Sequence, residues 1–193
     1  ADLMASGEHE NVVRYYRVER DAAHVYLATT LCRQSLAEWL RVHRPQRPPV
    51  LTCELVTAMH DIAEGVRHLH DKGVVHGRLC PQCVLCDAAG HLRLSPTRFT
   101  SACACTDDCG RTGWAAPEVL CGSRSASPGP AADVFSVGCM FYLIATGDHA
   151  FGAAPEERDA RVLAGQADVS ALWCQPVAQS LVQRMLDARP ERR

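Results

Sequence analysis

The sequence predicts an α+β fold in which a few strands come first and helices follow. Three observations point to it. From Asn11 to Thr29 the chain is rich in β-branched and aromatic residues, the composition of half-buried strands. Between Leu51 and Leu69, apolar residues fall at Leu51, Leu55, Ala58, Met59, Ile62, Val66 and Leu69, the period of a helix with one buried stripe. From Asp133 to Ala145 the chain is apolar nearly all round, which marks a helix enclosed by the domain on every side.

Taken in order, Asn11–Val18 reads as a strand, Glu19–Ala22 as a turn, and His24–Thr29 as a second strand. Ser35-Leu36-Ala37-Glu38 is a capping box, with a serine hydroxyl for the N3 amide and a glutamate reaching back, so a short helix through Trp39 and Leu40 should start there. The segment Pro45–Pro49 is a loop, and Arg41, Arg44 and Arg47 around it form a solvated face. The long helix then runs to Leu69, with Gly73 as its C-terminal cap. On this helix His60, His68 and His70 are expected along the polar edge. Short strands and tight turns fill Val74–Ser95, with Asp87-Ala88-Ala89-Gly90 as a hairpin turn. Residues 96–113 lack periodicity and read as an irregular loop. Two more amphipathic helices are expected at Pro155–Ala164 and Val177–Leu186.

Bulk properties narrow the function classes. With 193 residues the chain can bury a sizeable core. A net charge of −2 gives no global basic footprint, so no nucleic-acid contact is expected in this segment. The longest apolar run, Val134–Ala145, is too short to span a bilayer, so any membrane anchor would lie outside the segment. Eleven cysteines is a high count, but Cys53, Cys139 and Cys174 sit in apolar frames, where the side chain acts as a small hydrophobe. The opening residues Ala1-Asp2-Leu3-Met4 hold neither a charged n-region nor an apolar h-region. A reducing, cytosol-facing compartment is expected.

Three short motifs in order carry a resemblance. Val75-His76 followed by Leu79, Pro81, Val84 and Leu85 has the frame of a phosphoryl-transfer loop, Ala116-Pro117-Glu118 the frame that closes an activation segment, and Asp133-Val-Phe-Ser-Val-Gly138 the start of a buried central helix. Together they resemble the protein kinase fold, here its helical large lobe with the last strands of the small lobe. Gly113–Glu118, Asp133–Tyr142, Gly147–Gly152, His9–Tyr15 and Leu31-Cys32 further resemble the inositol-requiring endoplasmic reticulum stress sensors. One residue is missing between Tyr142 and Gly147 relative to that pattern. The resemblance implies the end of the small lobe and the hinge in residues 1–32, and the large lobe in residues 33–193, cut short of its last helices. It also implies a family activity of ATP- and magnesium-dependent serine/threonine phosphorylation coupled to an endoribonuclease, with face-to-face association and tethering to the endoplasmic reticulum membrane.

On that frame the reacting side chains are replaced. The family's proton-accepting aspartate aligns with Arg78, its lysine with Cys80, its magnesium-binding asparagine with Cys83, and its second magnesium ligand with Pro96, followed by Thr97 and Arg98. An arginine cannot accept a proton, a thiol is a poor magnesium ligand, and proline offers no side-chain donor. Gly77 stands where the family has arginine. The architectural positions persist: His76, Asp133 to hold the loop backbone, and Glu118 with Arg193 as its ion-pair partner. Thr29, Cys32 and Leu85 align with the nucleotide pocket.

The resemblance therefore points to a catalytically degenerate kinase domain acting as a scaffold for homo- or hetero-association, with no cofactor required. Two other readings stand beside it. An atypical active kinase would need a replacement base from Asp87, Asp107 or Asp108. A zinc module would use Cys80, Cys83, Cys103 and Cys105, whose first pair has the Cys-x-x-Cys spacing of half a zinc site. Ser101, Thr106 and Thr112 are candidate phosphorylation sites.

Overall fold

A computed structural model describes residues 8–43, 49–95, 112–122 and 128–193. Two antiparallel strands come first, β1 (Tyr15–Arg20) and β2 (Val25–Thr29). They pair from Tyr15–Thr29 to Arg20–Val25, with a bulge between Tyr15 and Arg17. The first strand thus starts and ends later than the sequence suggested. Its turn is made by Asp21, whose carboxylate accepts the N–H groups of Ala23 and His24, each at 2.7 Å. Asn11–Val13 belong to a different contact. Val13 N–H donates to the Leu94 carbonyl and Leu94 N–H to the Asn11 carbonyl, each at 2.8 Å. Val12 and Val13 are buried against this distant strand, and local patterning does not distinguish that from a longer β1.

A second sheet has the order β3-β4-β5, from β3 (Cys32–Ser35), β4 (Val84–Asp87) and β5 (Leu92–Leu94). The turn between β4 and β5 forms because Asp87 Oδ1 accepts the N–H groups of Ala89 at 2.9 Å and His91 at 3.0 Å. Gly90 supplies the left-handed residue, φ +94°. Helix α1 (Leu36–Val42) starts directly from β3 with the full capping box of Ser35 and Glu38.

Helix α2 (Cys53–Asp71) is capped by Thr52, which places Leu51 before the helix instead of in its first turn. Gly73, φ +70°, lets the chain leave it. Past the short α3 (Pro117–Cys121) comes α4 (Pro130–Thr146), which starts three residues before Asp133 because Pro130 fits the first helical turn. Its two ends frame a core of Phe135, Cys139, Met140 and Ile144, all 1% exposed or less. Helix α2 packs on one side through Ile62 and Leu69. Helix α6 (Pro176–Met185) also packs on α4, and α5 (Pro155–Leu163) packs against α3. Gly138 permits the close approach of α4 and α6, since a Cβ there would stand 2.8 Å from Met185 Cβ. Among the described residues, no helix is long and apolar enough to cross a membrane.

Candidate functional site

The loop from Val75 to Cys83 joins α2 to β4 and is held from below by α4. Asp133, 1% exposed, accepts the N–H of Gly77 on Oδ1 at 2.7 Å and that of His76 on Oδ2 at 2.9 Å. His70 Nε2 lies 2.9 Å from the same Oδ2. His70 therefore faces the interior, not the polar edge of α2 on which the sequence placed it; its partner is more than sixty positions away along the chain, beyond the reach of a helical-wheel reading. The His76 ring bridges inward. Its Nδ1 accepts the Arg78 N–H at 3.2 Å, which leaves the proton on Nε2 to donate to the Ser95 carbonyl at 2.8 Å. Gly77 has φ +71°, and a Cβ on it would meet Pro128 Cγ at 2.6 Å. The glycine is required by the loop's backbone as this chain builds it.

Arg78 sits in that loop with no carboxylate partner among the described residues. Cys80 and Cys83 are brought together, their sulfurs 3.4 Å apart. Cys83 Sγ is also 3.4 Å from the Arg78 carbonyl. The contact with Cys83 holds the Cys80 thiol at about 7, below the usual thiol range, against the opposing effect of burial. The same contact, with burial, pushes Cys83 up. These donors do not fit magnesium, which needs hard oxygen ligands in octahedral array. The position that would carry its asparagine ligand is a buried thiol that keeps its proton. No cluster of three metal-ligating side chains occurs among the described residues. Pro96, Thr97, Arg98, Cys103, Cys105, Ser101, Thr106, Asp107 and Asp108 lie outside the described residues.

The aligned nucleotide positions are spread over two sheets. Thr29 ends β2 and is exposed; Cys32 opens β3 opposite Asp87; Leu85 lies in β4 opposite Ser35. Asp87, weighed as a substitute base, is occupied. Burial disfavours its charge, but Arg93 at 2.8 Å and the N–H groups of His91 and Ala89 outweigh that and hold it below the ordinary carboxylate range. A carboxylate so committed to a turn and an arginine is a weak proton acceptor.

Beyond the loop, Arg193 and Glu118 form a bidentate pair at 2.7 and 2.9 Å. The Arg193 side chain is fully buried, lies over the Phe135 ring at 5.0 Å and also donates to the carbonyls of Ala131 and Asp187. Residues 113–114 are tied down as well. Gly113 N–H donates to Asp159 at 2.6 Å, and Ser136 Oγ donates to the Trp114 carbonyl at 2.7 Å. A cavity of about 640 Å³ opens between α1, this segment and the end of α4, with Arg41, Pro81, Gln82, Trp114, His149 and Arg158 on its wall. His149 is buried with its Nδ1 accepting the Phe151 N–H at 3.1 Å. Burial, and then the nearby Arg158 guanidinium, lowers its pKa to about 3.

The chain matches the protein kinase domain family over residues 1–193. It is similar to the serine/threonine-protein kinase/endoribonuclease IRE1 of Oryza sativa subsp. japonica, 32% identical over 219 aligned residues that cover 100% of this chain and 24% of that protein. It is similar to the serine/threonine-protein kinase/endoribonuclease IRE2 of Homo sapiens, 32% identical over 209 residues, 99% of this chain and 22% of that one. The sensor for unfolded proteins in the ER ire1 of Schizosaccharomyces pombe is 27% identical over 229 residues, covering 99% and 21% respectively. The chain thus spans about a quarter of the length of the curated relatives it matches. It belongs to the protein kinase domain family.

Proposed function

We propose that this kinase domain does not transfer phosphate and acts as an association and regulatory scaffold within an unfolded-protein-response sensor of the IRE1 kind. One observation carries the reading: the frame of the catalytic loop is fully supported while the reacting side chains are gone. Asp133 still fixes the backbone of His76 and Gly77, and Arg193 still locks Glu118. Phosphoryl transfer is positioning plus neutralisation of charge, and each of its parts needs its own group. Arg78 has no lone pair for the substrate proton. Cys80 carries no fixed positive charge, and Cys83 offers sulfur where magnesium needs oxygen. Groups that act as a unit are lost as a unit, so no single remaining residue rescues the rate.

What such a domain can still do is present surfaces. On this reading the domain lies on the cytosolic face, is tethered to the endoplasmic reticulum membrane by a segment outside this chain, and associates with a second copy or with a related sensor.

The test is autophosphorylation of the full-length protein with radiolabelled ATP and magnesium, beside a variant carrying Arg78→Asp, Cys80→Lys, Cys83→Asn and Pro96→Asp. Gly77 stays, because an arginine side chain there meets Pro128. The expected result is a silent natural protein and a labelled repaired one. Label in the natural protein would overturn the reading.

A further inference from the structure

We propose that Cys80 and Cys83 are an oxidisable dithiol, closed to a disulfide by a peroxide. The inference stands on the geometry of one turn and does not depend on the loss of phosphoryl transfer.

Cys80-Pro81-Gln82-Cys83 is a tight turn closed by the Cys83 N–H to the Cys80 carbonyl at 2.9 Å. Such a turn keeps its end Cα atoms within about 7 Å, and a disulfide spans Cα atoms roughly 4.4–6.8 Å apart. The backbone is therefore already in the range that a disulfide needs. Pro81 fixes φ at the second position of the turn, so the turn need not open for the sulfurs to join. The sulfurs stand 3.4 Å apart, and a bond of about 2.05 Å requires only small side-chain rotations.

The third thiol of this stretch is not a competitor. Cys86 lies in β4, and its sulfur points to the Asp87 carbonyl at 3.7 Å. Both sulfurs of the pair are nearly covered, Cys80 at 1% and Cys83 at 8% exposure. That favours an oxidant the size of hydrogen peroxide over a bulky disulfide. The two residues between the cysteines, Pro81 and Gln82, line the 640 Å³ cavity, which brings solvent to the turn.

The step balances. The Cys80 thiolate attacks one peroxide oxygen; an S–O bond forms, the O–O bond breaks, and hydroxide leaves to take up the Cys80 proton as water. The Cys83 sulfur then attacks the sulfenic sulfur. The S–S bond forms, the S–O bond breaks, and the departing hydroxide takes the Cys83 proton as a second water. The dithiol gives up two electrons and the peroxide is reduced to two waters. Closure removes the S–H that Cys83 directs at Arg78 O and fixes the turn against β4. It also steadies Ser95, whose N–H donates to the Cys83 carbonyl at 2.9 Å.

The experiment treats the reduced full chain with hydrogen peroxide, blocks free thiols with iodoacetamide under denaturing conditions, and digests with trypsin. The peptide Leu79–Arg93 carries Cys80, Cys83 and Cys86. The expected major product is that peptide lighter by two hydrogens, alkylated once, on Cys86, and restored by dithiothreitol. Cys86→Ser keeps the bond. Cys83→Ser abolishes it and leaves a Cys80 sulfenic acid that dimedone captures. Three alkylations on this peptide, at a peroxide dose that oxidises the exposed Cys53 and Cys121, overturn the proposal, as does a bond mapped to Cys86. Should Cys83→Ser fail to fold, the natural chain and Cys86→Ser still decide it.

Discussion

A carboxylate that is 1% exposed takes the N–H groups of His76 and Gly77 and lies against His70. Asp133 thereby satisfies backbone donors that the loop leaves without strand or helix partners. A buried donor stripped of its acceptor costs about 1–3 kcal/mol, so Asp133→Ala should lower unfolding stability by about 3 kcal/mol. Asp133→Asn, which keeps an acceptor oxygen, should lose less. Urea midpoints at constant m-value measure both. The aspartate was legible in the sequence because it opens a motif. Its third contact, His70, was not, because it comes from another helix. His149 gives a second prediction at this scale. Its folded pKa is about 3, below the roughly 6.5 of an unfolded histidine. Above pH 6.5 both states are neutral and the group contributes nothing to the pH dependence. As pH falls below 6.5 the unfolded state takes up a proton that the buried ring refuses, so stability is lost by about 1.4 kcal/mol per pH unit. At pH 5 the loss should reach about 2 kcal/mol relative to pH 8. His9, also lowered by partial burial and by His68, adds to the slope. The difference between the natural chain and His149→Asn, which keeps an acceptor for Phe151 N–H, isolates the buried ring. An identical slope between pH 6.5 and 5 in the two proteins would show that His149 protonates freely.

At the scale of elements, much of what has a local cause was readable, although the Thr52 cap and Pro130, also local, start α2 and α4 elsewhere than the sequence reading did. The Ser35–Glu38 box, the α2 stripe and the Asp87 turn each form from residues within a few positions of one another. Every boundary set by a distant partner escaped as well. Asn11–Val13 pair with Leu94, Asp61 accepts the Leu92 N–H at 2.9 Å, and Asn11 Nδ2 donates to the Leu92 carbonyl at 3.1 Å. Gly138 shows how two effects of opposite sign are decided. Alanine in a helix interior is favoured over glycine by about 1 kcal/mol. A Cβ there would stand 2.8 Å from Met185 Cβ and 3.1 Å from Leu186 Cδ2. Met185 Cβ is fixed to its own backbone and cannot swing aside as a chain end could. Overpacking of this kind costs roughly 1–3 kcal/mol, so Gly138→Ala should come out destabilising and lower the thermal midpoint. A rise would mean that α6 can move off α4 at little expense.

Over the whole molecule, the pattern of what is kept and what is replaced becomes a thermodynamic expectation. The bidentate pair of the buried Arg193 with the partly exposed Glu118 and the Asp133 contacts hold the fold without any ligand. That Arg78 has no lone pair to accept a proton follows from its residue type, whatever the geometry around it. The closeness of the Cys80 and Cys83 sulfurs was not legible in the sequence, because spacing tells that two thiols share a turn but not which way they point. A domain that had kept its metal ligands would be stabilised by magnesium and ATP together beyond ATP alone. At a hundredfold excess over the dissociation constant the increment is about 2.7 kcal/mol. For a chain of this size that is roughly 5–10 °C in thermal midpoint. With sulfur at Cys83 and a side chain without donors at Pro96, the full chain in millimolar ATP should melt within about 1 °C with or without magnesium. Cys83→Asn with Pro96→Asp supplies oxygen at both positions and should recover a magnesium-dependent shift wherever nucleotide binds. A shift of several degrees in the natural chain would require a hard-ligand site built from other residues, and the scaffold reading would then have to yield to a working nucleotide site.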